Sequence, residues 1–118
     1  MFTQLAEPLA AYIKATNDHN SDAFLACFTD DALVTDIGRD FHGAVAIKEW
    51  SDREIIGANV TLEVTAAKEG DGATIVTTKV DGDFDKTNLP DPLLLDHHIT
   101  VNGDKISRLL ILQNQDAE

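Results

Sequence analysis

Residues 59–66 read Asn59-Val60-Thr61-Leu62-Glu63-Val64-Thr65-Ala66, and the fold class turns on them. Val60, Leu62, Val64 and Ala66 alternate with polar neighbours, the period of two that gives a strand one apolar and one wet face. Upstream the period is 3.6. Leu5, Leu9, Tyr12, Ile13 and Thr16 form one helical stripe. Pro8 stands near its start, where a missing N–H costs least. Asn17-Asp18-His19-Asn20 breaks the pattern, and Ser21 is the expected cap of a second helix whose apolar face is Phe24, Leu25 and Phe28. Tyr12 falls on the buried edge of the first helix, so its hydroxyl needs a partner or a cavity. Ala32 to Ile37 reads as a short strand, with Val34 and Asp36 on one side, and Gly38-Arg39-Asp40 as a turn. Val45 to Glu54 reads as a third helix, with Ile47 and Trp50 three apart.

Downstream of residue 59 the pattern stays strand-like. Ala73 to Val80, Leu93 to Val101 and Ile106 to Leu112 are predicted strands, with Asn102-Gly103 as a hairpin turn and Gln113 to Glu118 as a fraying tail. Two close prolines make 85–92 a loop. Helices first and hairpin-joined strands after give an α+β fold, three helices against an antiparallel sheet, and exclude a doubly wound parallel one.

The composition narrows the function. The 118 residues carry 9 Lys+Arg against 21 Asp+Glu, a formal charge of −12, which opposes binding to nucleic acid or to an anionic membrane. At 43% hydrophobic residues the chain is globular, not an acidic disordered tail, and its length predicts one domain over 1–118. No signal-peptide pattern or membrane-spanning run is visible. A lone Cys27 permits no internal disulfide and fits a reducing cytoplasm; between apolar neighbours it reads as a buried small residue.

Two places carry candidate chemistry. Asp36 is a carboxylate inside a strand, where aspartate is normally avoided. Set among apolar groups, a carboxylate holds its charge poorly and takes up protons readily, as a general base must; at a strand end it could equally point to solvent. The second place is Leu95-Asp96-His97-His98-Ile99. Alternation puts Leu93, Leu95, His97, Ile99 and Val101 on one face and Asp96 and His98 on the other, so His97 is expected inward unless a bulge intervenes. The two histidines face apart and cannot chelate one ion, and no zinc-like spacing is present; no metal or cofactor is expected. Trp50, Phe41 and Phe28 read chiefly as core. Together with Val34 they are also the candidates for lining a substrate pocket.

The run Ala26-Cys27-Phe28-Thr29-Asp30-Asp31-Ala32-Leu33-Val34-Thr35-Asp36, then Gly43, Ile47 and Trp50, Val80-Asp81-Gly82-Asp83-Phe84 and Asn102-Gly103-Asp104-Lys105-Ile106, resembles the nuclear transport factor 2-like superfamily. The likeness is to its SnoaL-like and ketosteroid isomerase-like branches, and it covers nearly the whole chain. It implies a cystatin-like cone, a curved antiparallel sheet wrapped around three helices, with an apolar pocket and commonly a homodimer. Function varies widely on this fold. The isomerase branch implies more: its first-helix tyrosine precedes its base by the 24 residues that separate Tyr12 from Asp36. Asp36 would move a proton next to a carbonyl, and Tyr12 would donate to the developing oxyanion. An ungapped match makes Asp96 the second donor; a hairpin one residue shorter gives that place to His97, which could also pair with Asp36. Two functions stay open: cofactor-independent isomerase or lyase chemistry on a small apolar carbonyl or cyclic compound, or a non-catalytic ligand-binding or dimerisation module whose cone Phe24, Phe28, Phe41 and Trp50 fill. The run Leu109-Leu110-Ile111-Leu112 offers apolar residues on both sheet faces, which suits a dimer.

Overall fold

The structure is a computed structural model that describes residues 7–114 except 71, 88 and 91. Leu5 and residues 115–118 lie outside the described residues. Helix α1 (Leu9–Asn17) buries Leu9, Tyr12 and Thr16, the expected stripe. Helix α2 (Ser21–Ala26) is capped by Asn20, whose side chain accepts from the Ala23 N–H, and not by Ser21. The Ser21 hydroxyl donates to Asp52 instead. Phe28 leaves the helix because the sheet captures the chain at that point: the Ile106 N–H donates to the Cys27 carbonyl, and Phe28 opens strand β1 (Phe28–Asp36) opposite Ile106.

A strand the sequence reading missed, β2 (Arg39–His42), pairs back onto β1 across a two-residue turn. Ile37 and Gly38 form that turn with φ of 46° and 86°. Both central residues are left-handed, as a tight hairpin of this kind requires. Isoleucine is an unfavoured choice there, which is why Gly38-Arg39-Asp40 looked the better turn. Helix α3 (Ala44–Ser51) widens over Asp52–Ile56 into a π-turn closed by the Gly57 N–H on the Asp52 carbonyl, 2.9 Å. A Cβ at Gly57 would stand 2.5 Å from that same oxygen, so the closure needs glycine.

The remaining strands are β3 (Thr61–Glu69), β4 (Thr74–Asp81), β5 (Leu93–Asn102) and β6 (Lys105–Gln113). The six-stranded order is β2-β1-β6-β5-β4-β3. All neighbours are antiparallel except β1 and β6, which run parallel. A parallel pair needs a long connection, and here nearly the whole chain supplies it. Alternation holds with two slips. A bulge after Val64 turns Ala67 inward in place of Ala66, and another after Thr100 leaves Val101 exposed. The β5–β6 turn is Gly103-Asp104, one residue later than expected, because Asn102 pairs with Lys105; at the other end Gln113 stays in the ladder opposite Leu95.

The helices pack on the inner face of the sheet, where Trp50, Phe24, Ile47, Ile99, Ile106, Leu109, Val34 and Val76 are fully buried. Burying an aromatic or branched side chain stabilises by about 1.5–3 kcal/mol, so this layer anchors the fold. The Asn17 side chain ties α1 to the edge strand: it donates to the Leu62 carbonyl (2.9 Å) and accepts the Leu62 N–H (2.7 Å). Residues that read as a helix breaker thus stand in for a neighbouring strand and cover a sheet edge. Among the described residues no helix is long and apolar enough to cross a membrane.

Candidate active site

Between α1, the π-turn and the inner face of β4–β6 lies a cavity of about 380 Å³, partly open to solvent. Its walls are mainly apolar, with Ile55, Val60, Leu62, Val80, Leu95 and Ile111 among them, and Phe84 and Leu89 on one side. Tyr12, Asp36 and His97 all border it. Helix α1 presents Tyr12 from the apolar stripe, and the alternation of β5 presents His97. Asp36, the last residue of β1 before the tight turn, shares the face of buried Val34.

Asp36 is not set among apolar groups alone. Its Oδ2 accepts from the Trp50 indole N–H at 3.0 Å and from the Arg39 guanidinium at 3.1 Å, while Oδ1 has no partner among the described residues. Arg39 is also bidentate to Glu54, at 3.0 and 2.5 Å. That pairing raises the Arg39 pKa, with a smaller contribution from Asp36, and the same bond lowers that of Glu54. The carboxylate is therefore held through one oxygen, and the other is available at the cavity.

Tyr12 and His97 are in direct contact: the phenol oxygen lies 2.9 Å from Nδ1, and Nε2 lies 3.0 Å from the Thr78 hydroxyl. Burial pushes the Tyr12 pKa up, with the Asp36 and Cys27 charges adding to it, so the phenol stays protonated. Burial pushes His97 down from its ordinary 6.5 to about 4, against the Asp96 charge and helped by His98. At neutral pH His97 is an uncharged imidazole. A neutral imidazole beside a protonated phenol introduces no buried charge, and the Tyr12 hydroxyl is the hydrogen-bond donor the pair can offer an oxyanion.

The structure brings Tyr12, Asp36 and His97 to one cavity and leaves Asp96 out. Alternation carries Asp96 to the outer face, where it accepts from the Thr77 hydroxyl (2.7 Å) and Asn114 (3.0 Å). Of the two residues weighed for that late-strand position, it is His97 that borders the cavity. Trp50, Phe28, Phe41 and Val34 do not line the cavity. Trp50, Phe28 and Val34 are buried behind it, and Phe41 stacks on Trp50 with centroids 5.7 Å apart. Phe24 packs on Tyr12, Phe28 and Trp50, and Phe28 also packs on Tyr12, which fills the closed end of the cone and leaves the rest empty. Trp50 reaches the site only through its N–H. Cys27 is buried and its thiol pKa is raised, chiefly by burial, so it is no nucleophile. Among the described residues no cluster of His, Cys, Asp and Glu is arranged to hold a metal.

The sequence reading did not find Arg39, Glu54 or Thr78. Arg39 was recoverable: once Ile37-Gly38 is the turn, Asp36 and Arg39 become cross-strand partners. Thr78 carries a fainter sign, a hydroxyl between inward-facing Val76 and Val80.

A family model described as a SnoaL-like domain matches residues 9–109. Among solved structures, the chain is similar to a candidate polyketide cyclase from Sinorhizobium meliloti, at 28% identity and TM-score 0.77, covering 88% of this chain and 92% of that one. It is similar in fold to a candidate ketosteroid isomerase from Kribbella flavida, at 13% identity and TM-score 0.72, covering 93% and 77%. A protein with a ketosteroid isomerase-like fold from Catenulispora acidiphila, in complex with trimethylamine, matches at 20% identity and TM-score 0.72, covering 93% and 88%. No curated protein matches the sequence.

Proposed function

The chain belongs to the SnoaL-like family, and from that premise we propose that it catalyses cofactor-independent proton transfer, of isomerase or lyase type, on a small apolar carbonyl or cyclic compound. The observation that carries this reading is the convergence of a carboxylate and a protonated phenol on one largely apolar cavity. Asp36 Oδ1 takes a proton from the carbon beside the carbonyl. The electron pair of that C–H bond moves into the carbon skeleton, and charge builds on the carbonyl oxygen. Tyr12 donates its hydrogen bond there, and His97 holds the phenol in place. Return of the proton from Asp36 to another carbon gives an isomer; loss of a leaving group from the adjacent carbon gives a lyase product.

Trp50 and Arg39 serve this step by fixing the carboxylate through Oδ2. A positioned base contributes roughly 10²–10⁴-fold and one oxyanion donor about 10²–10³-fold. The test needs no prior substrate. A panel of small cyclic ketones is incubated with the protein in D2O, and loss of α-proton signal is followed by NMR. Exchange should depend on the protein and fall at least 100-fold in Asp36→Asn, with the fold intact by circular dichroism. Exchange undiminished in that variant would end the proposal.

A second reading, a ligand-holding module without chemistry, is favoured by the ion pair of Asp36 with Arg39, which offsets the charge a base would use. That reading expects the panel to bind without exchange. The complex of the Catenulispora protein with trimethylamine supports a small molecule as ligand in either case. We infer a cytoplasmic location from the lone cysteine, Cys27, which permits no internal disulfide and fits a reducing compartment. We also infer a homodimer from the outer sheet face, where Leu112 is 40% exposed beside half-buried Leu110. A monomeric mass by light scattering at micromolar concentration would remove the dimer.

A further inference from the structure

Thr78, His97 and Tyr12 form an unbroken hydrogen-bonded line from the inner face of β4 to the cavity. A neutral imidazole has one proton for two nitrogens, so this line can run in either direction. In the first direction Tyr12 gives its hydrogen to Nδ1, and Nε2–H donates to Thr78. The Thr78 hydroxyl hydrogen then has nowhere to go. Its side chain is fully buried and borders no part of the cavity, and among the described residues its oxygen meets only His97. A buried donor without an acceptor is what folded proteins avoid most consistently.

In the second direction Thr78 O–H donates to Nε2, Nδ1–H donates to the Tyr12 oxygen, and the Tyr12 hydrogen is left over at the cavity. There a ligand oxygen or a water can accept it. Every donor has a partner in this arrangement alone. The asymmetry that decides is burial: one end of the line is closed by the sheet, and the other opens on the cavity.

We propose that Thr78 is a positioning residue that fixes His97 as its Nδ1–H tautomer and so turns the Tyr12 hydroxyl hydrogen into the cavity. The ligand must then present an acceptor at that wall, such as a carbonyl or other unprotonated oxygen, and an ammonium or other pure donor is disfavoured there. The orientation of the line stands without any chemistry in the cavity. Its catalytic consequence, a phenol always poised to donate, rests on the proton-transfer reading above.

The full chain labelled with [15N]histidine tests this by long-range 1H–15N correlation at pH 7, which separates protonated from unprotonated ring nitrogens. The wild-type spectrum should show His97 with its proton on Nδ1 and a bare Nε2. In Thr78→Val the proton should stay on Nδ1, because an Nε2–H would face only methyl groups, and the bare Nε2 signal should move downfield as it loses the hydrogen bond it accepts; Thr78→Ser should restore the wild-type shift. A wild-type His97 carrying its proton on Nε2 overturns the proposal. So does a folded Thr78→Val protein whose Nε2 signal is unchanged from wild type, since Nε2 would then accept nothing from Thr78. Should Thr78→Val not fold, the wild-type and Thr78→Ser spectra decide by themselves. Failure of the proton-transfer reading, seen as undiminished exchange in Asp36→Asn, leaves the His97 spectrum untouched, so the two failures are told apart.

Discussion

Acid should destabilise this protein well above the carboxylate range, through one residue. Burial holds the His97 pKa near 4 in the fold, against 6.5 in an unfolded chain. Between those values the unfolded state takes up a proton that the folded state refuses, so the stability tied to neutral His97 is present above 6.5 and lost as pH falls toward 4. The full difference is worth about 3 kcal/mol, and the part lost between pH 7 and pH 5 is about 2 kcal/mol. For a domain of this size that moves a urea midpoint down by about 1 M. Trp50 is the only tryptophan and is fully buried, so its fluorescence reports unfolding directly. Urea titrations at pH 7 and pH 5 should show the shift in wild type and little of it in His97→Gln, which keeps a polar side chain against Tyr12 and Thr78. The salt-bridged carboxylates Asp52, Glu54 and Asp81 have lowered pKa values and lose their own contribution only below the ordinary carboxylate range. They do not imitate the effect at pH 5. A midpoint that stays put between pH 7 and pH 5, or an equal shift in His97→Gln, would refute the burial argument.

Ile37→Asn should raise the melting temperature by about 4 °C, because asparagine tolerates the left-handed conformation that costs isoleucine about 1 kcal/mol. The same change strips an apolar wall from the cavity, so calorimetry should show a more stable protein that binds apolar ketones less tightly. Asn17→Ala leaves both Leu62 backbone groups without their partner and should cost about 2 kcal/mol in urea unfolding at pH 7. An unchanged midpoint there would mean that water replaces the clamp without loss.

The parts of the fold that were legible in the sequence are those set by periodicity. The change from a 3.6-residue to a two-residue repeat at Asn59 located the boundary between helices and sheet, and alternation along Leu93–Val101 put His97 inside and Asp96 outside. What stayed hidden depended on pairing between distant residues. The Phe28 backbone joins β1 because Ile106 stands opposite, and no local propensity reports that. The hairpin at Ile37-Gly38 was obscured by a turn residue that strand statistics assign to a strand. Bulges after Val64 and Thr100 each displace alternation by one, a shift that composition does not encode.

For the candidate site, the residue types were legible and their surroundings were not. Asp36 was found because a carboxylate inside a strand is unusual, and that reasoning carried the assumption that its neighbours would be apolar. The tight turn instead folds Arg39 back beside it, and the π-turn brings Glu54 to hold Arg39 in place. These two irregularities meet at Arg39. Without the left-handed pair at 37–38 Arg39 would not stand opposite Asp36, and without the widened turn at 52–56 Glu54 would follow a regular helix. Both irregularities bear on the surroundings of the same carboxylate. Arg39, itself held by Glu54, thus fixes the orientation of the Asp36 carboxylate, in place of the bare apolar environment that the sequence suggested.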